Sequence, residues 1–475
     1  MPRFLAVTSG LAAALAASTA TAQAAGPLAG SGARFETETG YSFTRLTPEG
    51  LVSTNRSGVQ VNAAFPGDLY FVSRGSEPRG LPNDQSGAFR SEDRGLTWER
   101  VDPAVGRLYN YQDGLEVSPV DPNVLYVAEE RNNRLSVSRD RGRSFQPTAA
   151  DPLTVPRNLI SLGLDPVNPD RLWVGGDQGL FVSNDGGASF EPAGSGELPF
   201  GQTSANFQLT SSVTVSPNVS PDGEVTLYAS FAQAQEGVWK SEDSGRTWRS
   251  VSEGLPSFRG LFDPLGLRYS VADLELAPSN PDVIYASEFL SRDQELYRSR
   301  DGAETWERLT LPEEAFNTRE FADFPTNQVN GIAIDPEDED RLAVSTNQGR
   351  VLLSEDGGDS WEDLGHLFEE ITLLDADTVA VVLPTGQRLT GPSPYSALGG
   401  LGNGAFPLEF APDDPNLLYV PTSYGLYAVA VPEPAAGVLL GLAGTLLLRR
   451  RTRSRGCSGG ASAFQLVSRR QSSAW

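Results

Sequence analysis

The sequence predicts an all-β protein in which a four-stranded unit is repeated around a ring. Six segments share the pattern Ser-x-Asp-x-Gly-x-(Thr/Ser)-(Trp/Phe) and begin 45 to 58 residues apart, at Ser91, Ser138, Ser183, Ser241, Ser299 and Ser354. The 49 Gly and 34 Pro residues predict frequent turns. This spacing suits one blade of a β-propeller for each repeat, so the chain is expected to form a single propeller.

Each repeat contains a predicted hairpin turn built around one aspartate, called here an aspartate turn. The carboxylate can accept hydrogen bonds from the turn, the Gly supplies a positive φ, and the aromatic residue packs beneath. The fifth copy departs from this pattern, with Ala303 at the position where the other copies have Gly. We expect a structural role for the six aspartates, which are Asp93, Asp140, Asp185, Asp243, Asp301 and Asp356.

A second, proline-rich turn precedes most of the aspartate turns, as in residues 117–126, and predicts two strands joined by a tight connection. Each blade is therefore expected to run strand A, proline turn, strand B, loop, strand C, aspartate turn and strand D. A seventh unit opens at Phe410 but ends before any aspartate turn. Residues 40–46 match the missing strand D, so an N-terminal strand is expected to complete the last blade and close a seven-bladed ring.

The repeats resemble the Asp-box, or BNR, repeats of sialidases, xyloglucanase-type glycoside hydrolases, sortilin-like receptors and photosystem II assembly factors. The resemblance covers about residues 40 to 430, within a predicted propeller domain of residues 25–430. It implies a propeller whose aspartate turns lie on the outside and are structural. It leaves the activity open, because one fold can carry many unrelated activities.

The N-terminus has the pattern of a secretory signal peptide. Arg3 precedes an apolar run at residues 4–17, and Ala20-Thr21-Ala22 offers a small-x-small cleavage site. Residues 1–24 are therefore predicted to be removed as the protein is exported.

Residues 431–455 resemble the PEP-CTERM sorting signal of Gram-negative bacteria. The resemblance rests on Pro432, Glu433 and Pro434, followed by an apolar segment at 435–448 and then an arginine cluster. It implies transient membrane insertion, processing by an exosortase-type enzyme and delivery to the cell surface or extracellular matrix, often with exopolysaccharide production. A chain left unprocessed would stay membrane-anchored, facing outside the cytoplasm. The tail at 456–475 departs from the family pattern.

The composition argues against several classes of function. Lys and Arg total 37 against 61 Asp and Glu, a net charge of −24, and an acidic surface of this kind repels nucleic acid. The single cysteine, Cys457, excludes an intrachain disulfide, and the single histidine, His366, excludes a His-rich metal site. Glu116, Glu275 and Glu409 are expected near the central channel as hydrated or ion-paired acids. We expect no cofactor and no metal.

The irregular B–C and D–A connections share one face and are the expected place for recognition. The longest of them spans residues 363–404. Aromatic rings beside carboxylates and arginines suit sugars, and they equally suit a protein partner. The candidate binding residues on this face are Tyr109, Tyr111, Glu129, Arg131, Arg268 and Tyr269.

The sequence favours an exported, surface-associated propeller that binds an extracellular polysaccharide or a surface protein without catalysis. The alternative is a sialidase- or xyloglucanase-like glycoside hydrolase. Its two catalytic carboxyls would be two of the three candidates Asp113, Asp263 and Asp273. Against this alternative, the Arg-Ile-Pro signature of sialidases is absent, and xyloglucanase-type enzymes commonly place two propellers around a cleft. A structural matrix protein or assembly factor is the second alternative.

Overall fold

The part of the chain whose structure can be described lies within residues 28–431. The computed structural model describes residues 28–47, 58–73, 87–101, 115–129, 134–148, 159, 161–176, 179–194, 198, 209–232, 237–255, 271–288, 296–312, 315, 329–346, 349–367, 370–375, 378–382, 388–392, 408–422 and 425–431. The predicted signal peptide, the tail and all but the first residue of the predicted sorting signal lie outside these ranges. Within them, no helix is long and apolar enough to cross a membrane.

Seven antiparallel sheets form seven blades, and the described ranges contain β-strands but no α-helix. The segment before the blades contains β1 (Leu28–Ala29), β2 (Arg34–Glu36) and β3 (Ser42–Arg45). Blade 1 contains β4 (Gly58–Val61), β5 (Leu69–Ser73), β6 (Gly87–Ser91) and β7 (Thr97–Val101). Blade 2 contains β8 (Leu115–Val117), β9 (Leu125–Glu129), β10 (Arg134–Ser138) and β11 (Gln146–Pro147). Blade 3 contains β12 (Ser161–Leu164), β13 (Leu172–Gly176), β14 (Gly179–Ser183) and β15 (Glu191–Pro192).

Blade 4 contains β16 (Leu209–Val219), β17 (Val225–Ala232), β18 (Val238–Ser241) and β19 (Arg249–Ser250). Blade 5 contains β20 (Val271–Leu276), β21 (Ile284–Glu288), β22 (Leu296–Ser299) and β23 (Glu307–Leu309). Blade 6 contains β24 (Val329–Ile334), β25 (Leu342–Thr346), β26 (Arg350–Ser354) and β27 (Glu362–His366). Three strands form an inserted sheet: β28 (Glu370–Asp375), β29 (Thr378–Val382) and β30 (Arg388–Pro392). Blade 7 contains β31 (Glu409–Ala411), β32 (Asp414–Thr422) and β33 (Gly425–Ala430), together with β3.

The ring is closed around a central channel. The innermost strands contact one another in the cyclic order β4, β8, β12, β16, β20, β24 and β31, and β31 contacts β4 again. Apolar side chains fill the spaces between neighbouring blades, as where Tyr285 and Leu296 of blade 5 join Ile332 and Val344 of blade 6 in one core cluster. The predicted seven-bladed propeller is therefore confirmed.

An N-terminal strand supplies strand D of blade 7, as the sequence pattern predicts. In this strand, β3, Phe43 pairs with Val429 of β33, and Thr44 pairs with Ala428. The Phe43 ring is fully buried and stacks on Phe35 of β2, with ring centroids 5.7 Å apart. The first and last parts of the propeller domain are thus joined by strand pairing and by a shared core.

The connection between blades 6 and 7 contains a feature that the sequence-based prediction missed. Residues 363–404 were expected to be an irregular connection, but β28, β29 and β30 pair within them as an antiparallel sheet. The register places Ile371 opposite Val381 and Leu373 opposite Val379. The prediction was wrong because these three strands are not part of the blade repeat.

The six aspartate turns share one hydrogen-bond pattern. In the third, Asp185 Oδ1 accepts a hydrogen bond from Ser183 Oγ at 2.8 Å and another from the backbone N–H of Ser189 at 2.8 Å. Its Oδ2 accepts one from Ser189 Oγ at 2.6 Å. Hydrogen bonds from Ser189 keep the pKa of Asp185 below its ordinary value. The carboxylate therefore ties both sides of the hairpin tip together.

Replacement of Asp185 by Ala is expected to lower the free energy of unfolding by about 1–2 kcal/mol. The change removes three hydrogen bonds from the tip, and each contributes about 1 kcal/mol when intact, less where water can replace it. Thermal and urea unfolding of the full chain would measure the change. The matched control is Asp222→Ala, because Asp222 is an exposed turn residue for which an effect below about 0.5 kcal/mol is expected. Equal effects of the two substitutions would contradict a special role for the aspartate turn.

Candidate functional site

Of the predicted catalytic and binding-face residues, only Asp273 has a side chain in the described part of the chain. Glu129 ends β9, and only its backbone can be placed. The remaining candidates lie outside the described residues and are Tyr109, Tyr111, Asp113, Arg131, Asp263, Arg268 and Tyr269. The candidate site therefore centres on Asp273 and the residues around it.

Asp273 lies near the beginning of β20, the innermost strand of blade 5. This strand starts at the D–A connection and ends at the proline turn, so Asp273 lies toward the face formed by the B–C and D–A connections. A β-bulge between Val271 and Asp273 interrupts the pairing with β21, and bulges often redirect side chains near functional sites. Asp273 is 0% exposed and pairs directly with Ser287, which is also 0% exposed.

The same level of the neighbouring blades is also polar. Ser212 pairs with Ser230 in blade 4, and Gly331 pairs with Ser345 in blade 6, each beside a bulge like the one at Asp273. In blade 3, Ser161 pairs with Gly175 at the same level. We call this set the polar layer: it consists of Ser161, Ser212, Ser230, Asp273, Ser287 and Ser345, all buried. Burial of polar groups is unfavourable unless they are hydrogen-bonded, so six buried polar residues at one level of the ring make this level a candidate site.

The serines of the polar layer were missed by the sequence-based prediction, although a local signal exists. Ser230 and Ser287 each follow an aromatic residue of strand B by two positions, after Tyr228 and Tyr285. Residues two apart in a strand lie on one face, and the register fixes which innermost-strand residue each serine meets. The signal identifies the serines, but only the strand register shows that one of them faces Asp273.

Two residues further along the innermost strands, the channel carries the three predicted glutamates. Glu116, Glu275 and Glu409 pair with Tyr126, Tyr285 and Tyr419, so they share one level of the ring. No group of three or more His, Cys, Asp or Glu side chains in the described ranges is arranged to hold a metal ion.

Glu409 spans the seam between the last and first blades. Its Oε2 accepts a hydrogen bond from the backbone N–H of Val61 at 2.8 Å, which links β31 to β4. Thr214 makes a comparable link, because its Oγ1 donates to the carbonyl oxygen of Leu274 at 2.7 Å. Burial raises the pKa of Glu409 well above its ordinary value, against a smaller lowering by the Val61 N–H. Glu409 is only partly exposed, so its carboxylate is shielded from water.

The raised pKa of Glu409 predicts a pH-dependent loss of stability. The folded chain holds this proton more tightly than the unfolded chain, so the free energy of unfolding falls as the pH rises above about 4.5, the ordinary pKa of a glutamate. Glu409→Gln keeps a neutral hydrogen-bonding group, so it should stabilise the protein at pH 8 and change little at pH 4. Urea unfolding at both pH values measures this difference, with exposed Glu36→Gln as the control. If Glu409→Gln changes the free energy of unfolding equally at both pH values, the predicted pH dependence is wrong.

The fold and the polar layer define a β-propeller with a buried polar site toward its loop face. No protein-family model matches the chain, so membership of the Asp-box repeat family stays a prediction. Among curated proteins, an oligoxyloglucan-reducing end-specific xyloglucanase of Emericella nidulans is 27% identical over 298 residues, covering 54% of this chain and 34% of that protein. A xyloglucanase of Acetivibrio thermocellus is 22% identical over 397 residues, covering 63% of this chain and 47% of that protein.

The chain therefore spans a third to a half of the length of these curated relatives. Among solved structures, the GH74 xyloglucanase of Xanthomonas campestris superposes with a TM-score of 0.53 at 20% identity, covering 83% of this chain and 64% of that chain. At this level of identity, the structural similarity shows the fold alone.

The prediction of a non-catalytic binding propeller is wrong. The curated relatives are named xyloglucanases, which favours the glycoside hydrolase alternative. The error has a physical cause, because the two carboxyls of a glycosidase are defined by their separation in space, which a local sequence motif does not encode. The absence of a catalytic motif in the sequence therefore carried no weight against an enzyme.

Proposed function

We propose that the protein is an exported glycoside hydrolase that acts on xyloglucan or a related extracellular polysaccharide. The observation that carries the proposal is the sequence similarity to a xyloglucanase over 298 residues. The predicted signal peptide supports export, and the predicted sorting signal supports delivery to the cell surface after processing by an exosortase-type enzyme. The polar layer supplies a buried carboxylate, Asp273, on the side of the propeller where the B–C and D–A connections lie.

Asp273 is the proposed general base. It would accept a proton from water as the water oxygen bonds to the anomeric carbon and the glycosidic C–O bond breaks. The leaving oxygen keeps the electron pair of that bond and takes a proton from a second carboxyl. Asp113 and Asp263 are the proposed sources of this acid, because each stands in the sequence between a strand D and the next strand A, where a D–A connection is expected.

Release of reducing ends by the full chain tests the proposal. Xyloglucan oligosaccharides are expected to give new reducing ends, and a sialoside is expected to give none. Asp113→Asn and Asp263→Asn identify the acid, because an aryl glycoside with a good leaving group restores the rate of an acid variant and not that of a base variant. Failure of the wild-type chain to cleave any member of a polysaccharide panel would overturn the proposed function.

A further inference from the structure

Ser287 is paired with Asp273 across two strands of blade 5, and the role inferred for its hydroxyl rests on the proposed hydrolytic function. The two residues are directly opposed in the pairing of β20 with β21. Directly opposed residues of an antiparallel pair project to the same side of the sheet, with Cβ atoms about 4.5–5.5 Å apart. A single water molecule can therefore bridge the two side chains within the polar layer.

Ser287 differs from its counterparts in neighbouring blades. Its Oγ is buried and has no hydrogen-bond partner within the described structure. Ser230 and Ser345 occupy the same register position in blades 4 and 6, and each takes part in an interaction. Among blades 4, 5 and 6, only blade 5 has a carboxylate, Asp273, opposite the serine. A buried hydroxyl without a protein partner is unfavourable, so its position beside Asp273 points to a bound polar molecule.

We propose that Ser287 is a positioning residue that holds the hydrolytic water against the carboxylate of Asp273. Two polar partners meet the minimum that a buried water requires. The water gives its proton to Asp273 as its oxygen attacks the anomeric carbon, and Ser287 neither gains nor loses a proton. Ser287 thus fixes the position of the nucleophile and does not contact the sugar.

Three variants of the full chain test this role on one xyloglucan oligosaccharide. Ser287→Ala is expected to lower kcat about 10- to 100-fold while KM stays within about twofold. The substitution displaces the water but leaves the binding of the sugar unchanged. Ser287→Thr keeps the hydroxyl and is expected to restore most of kcat. Ser118→Ala is the matched control, because Ser118 is a buried serine in the proline turn of blade 2, away from the polar layer, and this variant should retain wild-type kinetics.

Crystal structures of the wild type and Ser287→Ala give a readout that does not depend on turnover. A water within hydrogen-bond distance of both Ser287 Oγ and Asp273, lost in the variant, supports the inference. Wild-type kcat in Ser287→Ala, or no water between the two residues in the wild type, overturns it. If the wild type cleaves no glycan, the proposed function and the hydrolytic role fail together. The crystal structures then decide separately whether Ser287 holds a water.

Discussion

Replacement of Asp273 by Asn is expected to lower kcat for xyloglucan oligosaccharides by about 10²- to 10⁴-fold, the range over which a general base contributes. Asn has nearly the shape of Asp but cannot accept a proton from water at neutral pH. The side chain is fully buried, near the start of β20. Reducing-end release and thermal unfolding of the full chain, measured side by side, separate loss of catalysis from loss of folding.

The matched control for Asp273→Asn is Asp165→Asn. Asp165 is also buried, but it lies on the face that carries the proline turns. Asp165 Oδ1 accepts hydrogen bonds from the backbone N–H groups of Val167 and Asn168 at 2.8 and 2.7 Å, so it stabilises a proline turn. Asp165→Asn is expected to reduce stability and leave kcat of the folded protein unchanged. If the Asp273→Asn variant keeps the wild-type kcat, Asp273 is not the general base.

Removal of the N-terminal strands is expected to abolish the cooperative thermal transition of the propeller. A variant beginning at residue 50 lacks β3 and therefore exposes the edge of β33 in blade 7. It also loses Phe35 and Phe43 from the core, and burial of each ring contributes about 1.5–3 kcal/mol. The total is large against a typical stability of about 5–15 kcal/mol.

The N-terminal segment also contacts the blades on either side of blade 7. Leu28 of β1 pairs with Trp98 of blade 1, and Thr37 Oγ1 donates to the carbonyl oxygen of Leu364 in blade 6 at 2.9 Å. Calorimetry of the shortened chain measures the loss, and Phe43→Ala against exposed Glu36→Ala tests the core contribution alone. An unchanged melting curve for the shortened chain would show that the ring closes without these strands.

Much of the fold was predictable because its determinants are local. An aspartate turn needs a Ser, an Asp and a residue that tolerates positive φ within five positions, and Arg94 and Gly95 adopt φ of 57° and 84° in the first copy. Ala303 adopts a φ of 70° at the position where the other turns have Gly, so the departure in sequence left the turn conformation unchanged. The inserted sheet was not predictable from the repeat, because its strands follow another spacing.

The sequence by itself determined the class of fold, the number of blades and the use of an N-terminal strand to close the ring. Each of these follows from turn chemistry and from alternation along single strands, which act over a few residues. Tertiary structure alone decided that Ser287 faces Asp273 and that Glu409 crosses to the backbone of Val61. Strand register and ring closure bring these groups together across distances that no local pattern encodes. The raised pKa of Glu409 has the same origin, because burial depends on every blade around the channel.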